Sequence, residues 1–194
     1  MRIIAGTARG RKLVSPGSKG GKNEIRPTAD RAREALFNIL GNAVRDARVL
    51  DLFSGTGALG LEALSRGAFS SLFIDNSPTA IGLIRKNIDL TGFSGKAEVL
   101  QRDLARNCGV DNSNVPDGGF SLVFLDPPYR TRLAENLLDI LGEGVFLKSG
   151  CIVVAESDSG DSLPDKTGML ECYDKRQYGE TGFWFYLFSY KEIK

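Results

Sequence analysis

Asp51-Leu52-Phe53-Ser54-Gly55-Thr56-Gly57-Ala58-Leu59-Gly60 decides how the rest of the chain is read. The apolar run 48–53 predicts a short strand. Residues 54–57 form a tight, glycine-bearing turn, and 58–66 have the apolar content of a helix that Gly67 stops. Gly55-x-Gly57-x-x-Gly60 therefore sits between a strand and a helix. Glycines in that place let the backbone turn sharply and let a ligand approach it closely. Asp75 lies 20 residues beyond Gly55 and closes the next apolar run, 70–75. An acid at the end of a second strand can accept hydrogen bonds from ribose hydroxyls. The constellation predicts a nucleoside-type cofactor; the plain alternative is a structural turn.

Outward from this unit, strands and helices alternate. Ser77-Pro78 reads as a cap followed by a proline at the first helical position, opening a helix to about Leu90. Strands follow at 97–101 and 120–126, separated by a polar loop at 107–119. A helix at 132–141 precedes a strand at 151–155. Two more strands, 170–176 and 183–190, are joined by 177–182. The sum is an α/β fold with seven strands: a mostly parallel, doubly wound sheet with an antiparallel C-terminal edge pair. The run Phe183-Trp184-Phe185-Tyr186-Leu187-Phe188 is apolar on both faces and reads as a buried strand. Upstream, residues 1–14 alternate basic and apolar around Gly6 and Gly10, which predicts a small hairpin. Residues 16–21 form a Gly/Ser/Lys-rich loop. A helix starts near Pro27, with Thr28 or Asp30 as its cap and Ala32, Leu36 and Ile39 or Leu40 on one face. The chain divides into a basic arm and helix, 1–46, and a catalytic domain, 47–194.

With 194 residues and 42% hydrophobic content, the chain can bury one sizeable core. No apolar run is long enough to span a membrane. The opening Met1-Arg2-Ile3-Ile4 turns basic too quickly for a secretory signal. Cys108, Cys151 and Cys172 form no CxxC pair, which fits free thiols in a reducing cytoplasm. There are no histidines, so His triads and most His-based metal sites are excluded, and no metal is expected. Residues 1–33 carry nine Lys/Arg against Glu24 and Asp30. That is +7 in a chain of net +1, leaving −6 on the remainder. A basic end on an acidic body predicts a local contact with a polyanion; the alternative is a solvated arm.

The strand at 120–126 ends in Asp126-Pro127-Pro128-Tyr129. In a doubly wound sheet this strand lies beside the first, across the crevice where ligands bind. A nucleobase amine is a weak nucleophile because its lone pair is delocalised into the ring. The Asp126 carboxylate and the Pro127 carbonyl can hold its two N–H groups, and proline fixes the direction of that carbonyl. Tyr129 can stack on a base removed from its helix. The alternative is that two prolines merely end a strand and Asp126 caps the turn. Carbon-5 pyrimidine methylation would need a cysteine nucleophile beside a proline here, and none is present.

The tetrapeptide resembles the signature of methyltransferases that act on exocyclic amines of nucleobases. Asp51, four residues before Gly55, resembles the acidic-Gly-x-Gly motif of S-adenosylmethionine-dependent methyltransferases. The cofactor set expected on this basis is Asp51, Phe53, Ser54, Gly55, Gly57, Asp75, Asn76, Asp103 and Leu104, with Asp103 accepting from the adenine amine. Nearly the whole chain resembles the RsmD family of bacterial 16S rRNA (guanine-N2)-methyltransferases. The resemblance rests on Met1-Arg2-Ile3-Ile4-Ala5-Gly6, Arg9-Gly10-Arg11-Lys12-Leu13, Arg26-Pro27-Thr28, Asp30-Arg31, Arg33-Glu34, residues 51–66, the tetrapeptide and Tyr178-Gly179. Thr7-Ala8 and the long loop 16–24 depart from the pattern. The resemblance implies a Rossmann-like methyltransferase fold and S-adenosylmethionine as cofactor. It further implies a cytoplasmic monomer acting on 16S rRNA in the 30S subunit or an assembly intermediate, with RNA contacts from Arg9, Arg11, Lys12, Arg26, Arg31 and Arg33. Three other readings stand beside it. They are adenine-N6 methylation of DNA, an NAD oxidoreductase, and an RNA-binding assembly factor without turnover.

Overall fold

The computed structural model describes residues 1–17, 27–105, 109–128, 131–158 and 160–190, with only the backbone of 27–29. Helix α1 (Pro27–Leu40) precedes β1 (Arg48–Leu52), α2 (Ala58–Ser65), β2 (Ser70–Asp75), α3 (Pro78–Thr91), β3 (Ala97–Gln101) and β4 (Phe120–Leu125). Then come α4 (Leu133–Gly142), β5 (Leu147–Asp158), β6 (Lys166–Thr167), β7 (Leu170–Tyr178) and β8 (Thr181–Phe188). The strands form one sheet in the order β3-β2-β1-β4-β5-β8-β7-β6. The first five pair in parallel, and β8, β7 and β6 are antiparallel.

Among the described residues eight strands stand where seven were expected. The addition is β6, two residues bridged to Leu170 and Glu171. A pair of residues carries no alternation from which a strand could be read. The closing hairpin also lies deeper than an edge. β8 inserts between β5 and β7, and Phe183, Trp184, Phe185, Tyr186 and Phe188 are all buried. A strand apolar on both faces is stable only when both faces are covered.

The β1 side chains alternate between two cores. Val49 joins Leu36, Phe37, Leu61, Phe73 and Ile84 on the α1–α3 side. Leu50 and Leu52 join Ile74, Val123, Leu138 and Tyr186 on the α4 side. Helix α3 starts as its sequence predicts, with Ser77 Oγ accepting from the Ala80 N–H and Pro78 following the cap. Asp30 lies inside the first turn of α1 instead of capping it, and there it pairs with Arg33. Gly60 is needed for close packing. A Cβ there would lie 2.4 Å from Phe73 Cε1 and 2.7 Å from Ser71 Oγ.

The basic arm is docked. Arg2 and Lys12 form an antiparallel bridge that closes a small hairpin. Ile3, Ala8 and Leu13 share the core with α1, α2 and α3. Glu62, fully buried on α2, accepts from the Ile4 N–H at 2.7 Å and the Ala5 N–H at 3.0 Å. Ser65 accepts from the Ala8 N–H and donates to the Ala5 carbonyl. Gly6, at φ 81°, passes so close that a Cβ would meet the Ser65 carbonyl oxygen at 1.8 Å. On α3, Asn87 accepts from the Val14 N–H and donates to the Val14 and Thr56 carbonyls. Among the described residues no helix is long and apolar enough to cross a membrane. Cys151 is buried and Cys172 half-buried, both as free thiols; Cys108 lies outside the described residues.

Candidate active site

The strand order reverses between β1 and β4, so a crevice opens beyond their C-terminal ends. The loop leaving β1 is strained and tightly held. Phe53 has φ 58°, a left-handed conformation rare for a bulky side chain and often found at ligand clamps. Ser54 Oγ donates to the Asp51 carbonyl at 2.6 Å and accepts from the Ile74 N–H at 3.0 Å, tying the loop to β2. Gly55 donates its N–H to one Asp75 oxygen at 2.9 Å, and Ser77 donates to the other at 2.9 Å. The Asp51 carboxylate lies beneath, accepting from the Gly60 N–H at 2.9 Å. A buried acid thus ties the end of β1 to the start of α2.

A cavity of about 430 Å³ opens above this loop, lined by Phe53, Asp75, Asn76, Asp103, Ala105, Asp126, Pro127, Pro128 and Leu133. Seven of the expected cofactor and catalytic residues therefore meet around it, although they come from four strand ends. Asp51, Ser54, Gly55 and Gly57 build the loop without lining the cavity. Leu104 departs further: its side chain is buried in the core, and Ala105 takes its place on the wall, with its N–H donated to Asp103 at 3.0 Å. Tyr129 lies outside the described residues. Sequence reading missed Ala105 and Leu133. It also missed Glu156, which lies within β5 one residue beyond Ala155, the partner of Leu125, and which only that register brings beside Asp126.

The site is acidic. Burial, followed by the charges of Glu156 and Asp51, holds the Asp126 carboxyl well above the ordinary carboxylate range. Burial pushes Asp51 up to about 7, opposed by the Gly60 N–H and reinforced by Asp75. Among the described residues no Lys or Arg lines the cavity; Arg106 and Arg130, beside it in sequence, lie outside them. Among the described residues no ion pair engages Asp51, Asp75, Asp103 or Asp126. A pyrophosphate would meet these carboxylates without a compensating cation among the described residues. A cofactor with an ammonium and a sulfonium finds complementary charge. The residues present therefore fit S-adenosylmethionine and disfavour NAD.

The basic residues separate into two kinds. Arg9, Arg11, Lys12 and Arg31 are exposed, and Arg9 and Arg31 border a second cavity of about 400 Å³ between the hairpin and α1. Arg33 is buried at 6% exposure, and its Nη2 donates to the Arg2 carbonyl at 2.6 Å and to Asp30 at 3.0 Å. Burial lowers its pKa, against the pull of Asp30. Arg33 thus fastens α1 to the arm and does not face solvent as a phosphate contact would. Arg26 lies outside the described residues.

A reversed parallel sheet, a clamped glycine loop after β1 and an acidic crevice beside Asp126-Pro127-Pro128 define an S-adenosylmethionine-dependent methyltransferase. A family model described as "Conserved hypothetical protein 95" matches residues 1–187, and the chain belongs to that family, the RsmD family. YlbH of Bacillus subtilis (strain 168) is 35% identical over 94% of this chain and 96% of its own. Ribosomal RNA small subunit methyltransferase D of Escherichia coli (strain K12) is 34% identical over 96% of this chain and 89% of its own. The solved structure of yhhF from Escherichia coli superposes with a TM-score of 0.77 at 33% identity, covering 98% of this chain and 99% of that one.

Proposed function

We propose that this protein methylates small-subunit rRNA at the exocyclic N2 amine of one guanine. The observation that carries the reading is Asp126-Pro127-Pro128 on the wall of an acidic cavity that suits a sulfonium cofactor. The name of the Escherichia coli relative supports rRNA as the substrate, and the exposed cations of the arm suit a phosphate backbone.

Bound in the cavity, S-adenosylmethionine supplies a methyl group on a positively charged sulfur, to which the electron pair of the broken bond returns. Asp75 would receive ribose hydroxyls and Asp103 the adenine amine. The Asp51 carboxyl, held by Gly60, anchors the loop from beneath. Asp126 and the Pro127 carbonyl accept the two N–H groups of the target amine and turn its lone pair toward the cofactor. The proton left on nitrogen passes to Asp126 or to water. Tyr129 stacks on the extruded base. Residues 1–46 present the basic surface and 47–194 carry the chemistry. The protein acts in the cytoplasm as a monomer, on the small subunit or an assembly intermediate.

Radiolabelled methyl transfer tests the polymer class. Label is expected in small subunits or rRNA lacking the modification, and none in duplex DNA. Labelling of DNA alone would support an adenine-N6 enzyme. Binding of subunits without any transfer would support an assembly factor.

The arm makes a separate prediction. Two neutralised phosphates fewer should flatten the slope of log affinity against log salt by roughly 1.5 in the Arg9→Ala, Arg11→Ala double variant. Affinity for S-adenosylmethionine should not change. An unchanged salt slope would assign both arginines to structure alone.

A further inference from the structure

We propose that Glu156 reads the N1–H of the target guanine, and so selects guanine over bases whose N1 is a bare acceptor. The proposal rests on the guanine-N2 reading above and adds a residue to it. Strands β4 and β5 run in parallel with Leu125 registered on Ala155. Asp126, one residue past β4, and Glu156, inside β5, therefore follow a registered pair, and alternation continued from that pair places both on the same face. Registered neighbours lie ~4.8 Å apart. The two carboxylates sense each other, since Glu156 is the leading charge that raises Asp126. Asp126 lines the larger cavity. Glu156 lines a further, smaller cavity of about 220 Å³, with Ser157, Thr131 and Arg132. Pro127 and Pro128 border both. The catalytic loop therefore separates a cofactor chamber from a smaller chamber walled by Glu156.

The pairing edge of guanine presents the N2 amine and the N1–H side by side, an unbroken run of donors. Two adjacent carboxylates are an unbroken run of acceptors. With the amine on Asp126, the neighbouring N1–H falls toward Glu156. Adenine alternates instead: its amine donates, but its N1 is a lone pair, which a carboxylate repels. A flipped base is read through hydrogen bonds to this edge. A site built to bond a donor rejects the analogue that lacks it.

The test compares wild type with Glu156→Gln on small subunits rebuilt from ligated rRNA. The nucleotide found methylated carries either guanine or 2-aminopurine, which keeps the amine and loses the N1–H. Wild type should favour guanine by roughly 10- to 100-fold in kcat/KM. A glutamine amide can turn its oxygen or its NH2 toward N1, so in Glu156→Gln the preference should shrink to a few-fold. The missing O6 of 2-aminopurine affects both enzymes and cancels in the comparison. Calorimetric S-adenosylmethionine affinity, expected within a few-fold of wild type, verifies the fold, and Glu156→Asp should keep part of the preference. An undiminished preference in Glu156→Gln would overturn the assignment, even if the pH profile moved, because a residue acting only through Asp126 would shift the profile and leave base choice intact. A wild-type product other than N2-methylguanosine would overturn the guanine reading itself, and this proposal with it.

Discussion

Asp126→Ala is expected to lower the methyl-transfer rate by ~10³-fold while leaving S-adenosylmethionine affinity within a few-fold of wild type. The carboxylate holds the amine and lies on the route of its proton, whereas most cofactor contacts belong to other strand ends. Stability should not fall. The raised pKa means that the folded chain favours the protonated form. That contribution is complete below the ordinary value of 3.8 and is lost as pH rises through the raised one. As pH rises through the raised value the side chain, facing Glu156 from β5 and Asp51 from β1, ionises at a cost that alanine removes. The same shift gives wild-type turnover an acid limb above pH 3.8, because the ionised form must accept the amine. Single-turnover kinetics with urea unfolding would separate these effects. A variant that transfers methyl groups at the wild-type rate would remove Asp126 from the chemistry.

Glu62→Ala should cost about 3–5 kcal/mol, a large share of the stability of a single domain. Glu62 is fully buried and accepts from the Ile4 and Ala5 N–H groups and from Arg66 Nε at 2.7 Å. Arg66 in turn lies 4.9 Å from the centre of the Phe37 ring on α1. Alanine leaves a guanidinium and two backbone donors without their acceptor. Hydrogen exchange should therefore speed up first at Ile4, Ala5, Thr7 and Ala8, as the hairpin comes away from α2. Glu62→Gln, which keeps an acceptor, should cost less. A loss below about 1 kcal/mol would mean that the core alone seats the arm.

The contrast between these residues shows what a sequence discloses. Asp51, the glycine loop, Asp75 and Asp126 were legible because strand–turn–helix punctuation fixes where strand ends fall, and ligands gather at those ends. Ser77-Pro78 was legible because a cap is a local event. Glu62's role in seating the arm was not, since the backbone N–H groups it accepts from lie 57 and 58 residues away. Arg33 was legible as a charge but not as a buried one, because its acceptor is the Arg2 carbonyl across the hairpin. Glu156 becomes visible only once β5 is registered beside β4. The interior position of β8 likewise depends on pairing order, although its two apolar faces already marked it as covered.

The modified nucleoside tests the account most directly. Small subunits lacking the modification would be incubated with the protein and S-adenosylmethionine, then digested to nucleosides and analysed by mass spectrometry. N2-methylguanosine is the expected product, formed by the wild type and absent with Asp126→Ala. N6-methyladenosine, or a methylguanosine substituted elsewhere than N2, would contradict the guanine-N2 reading.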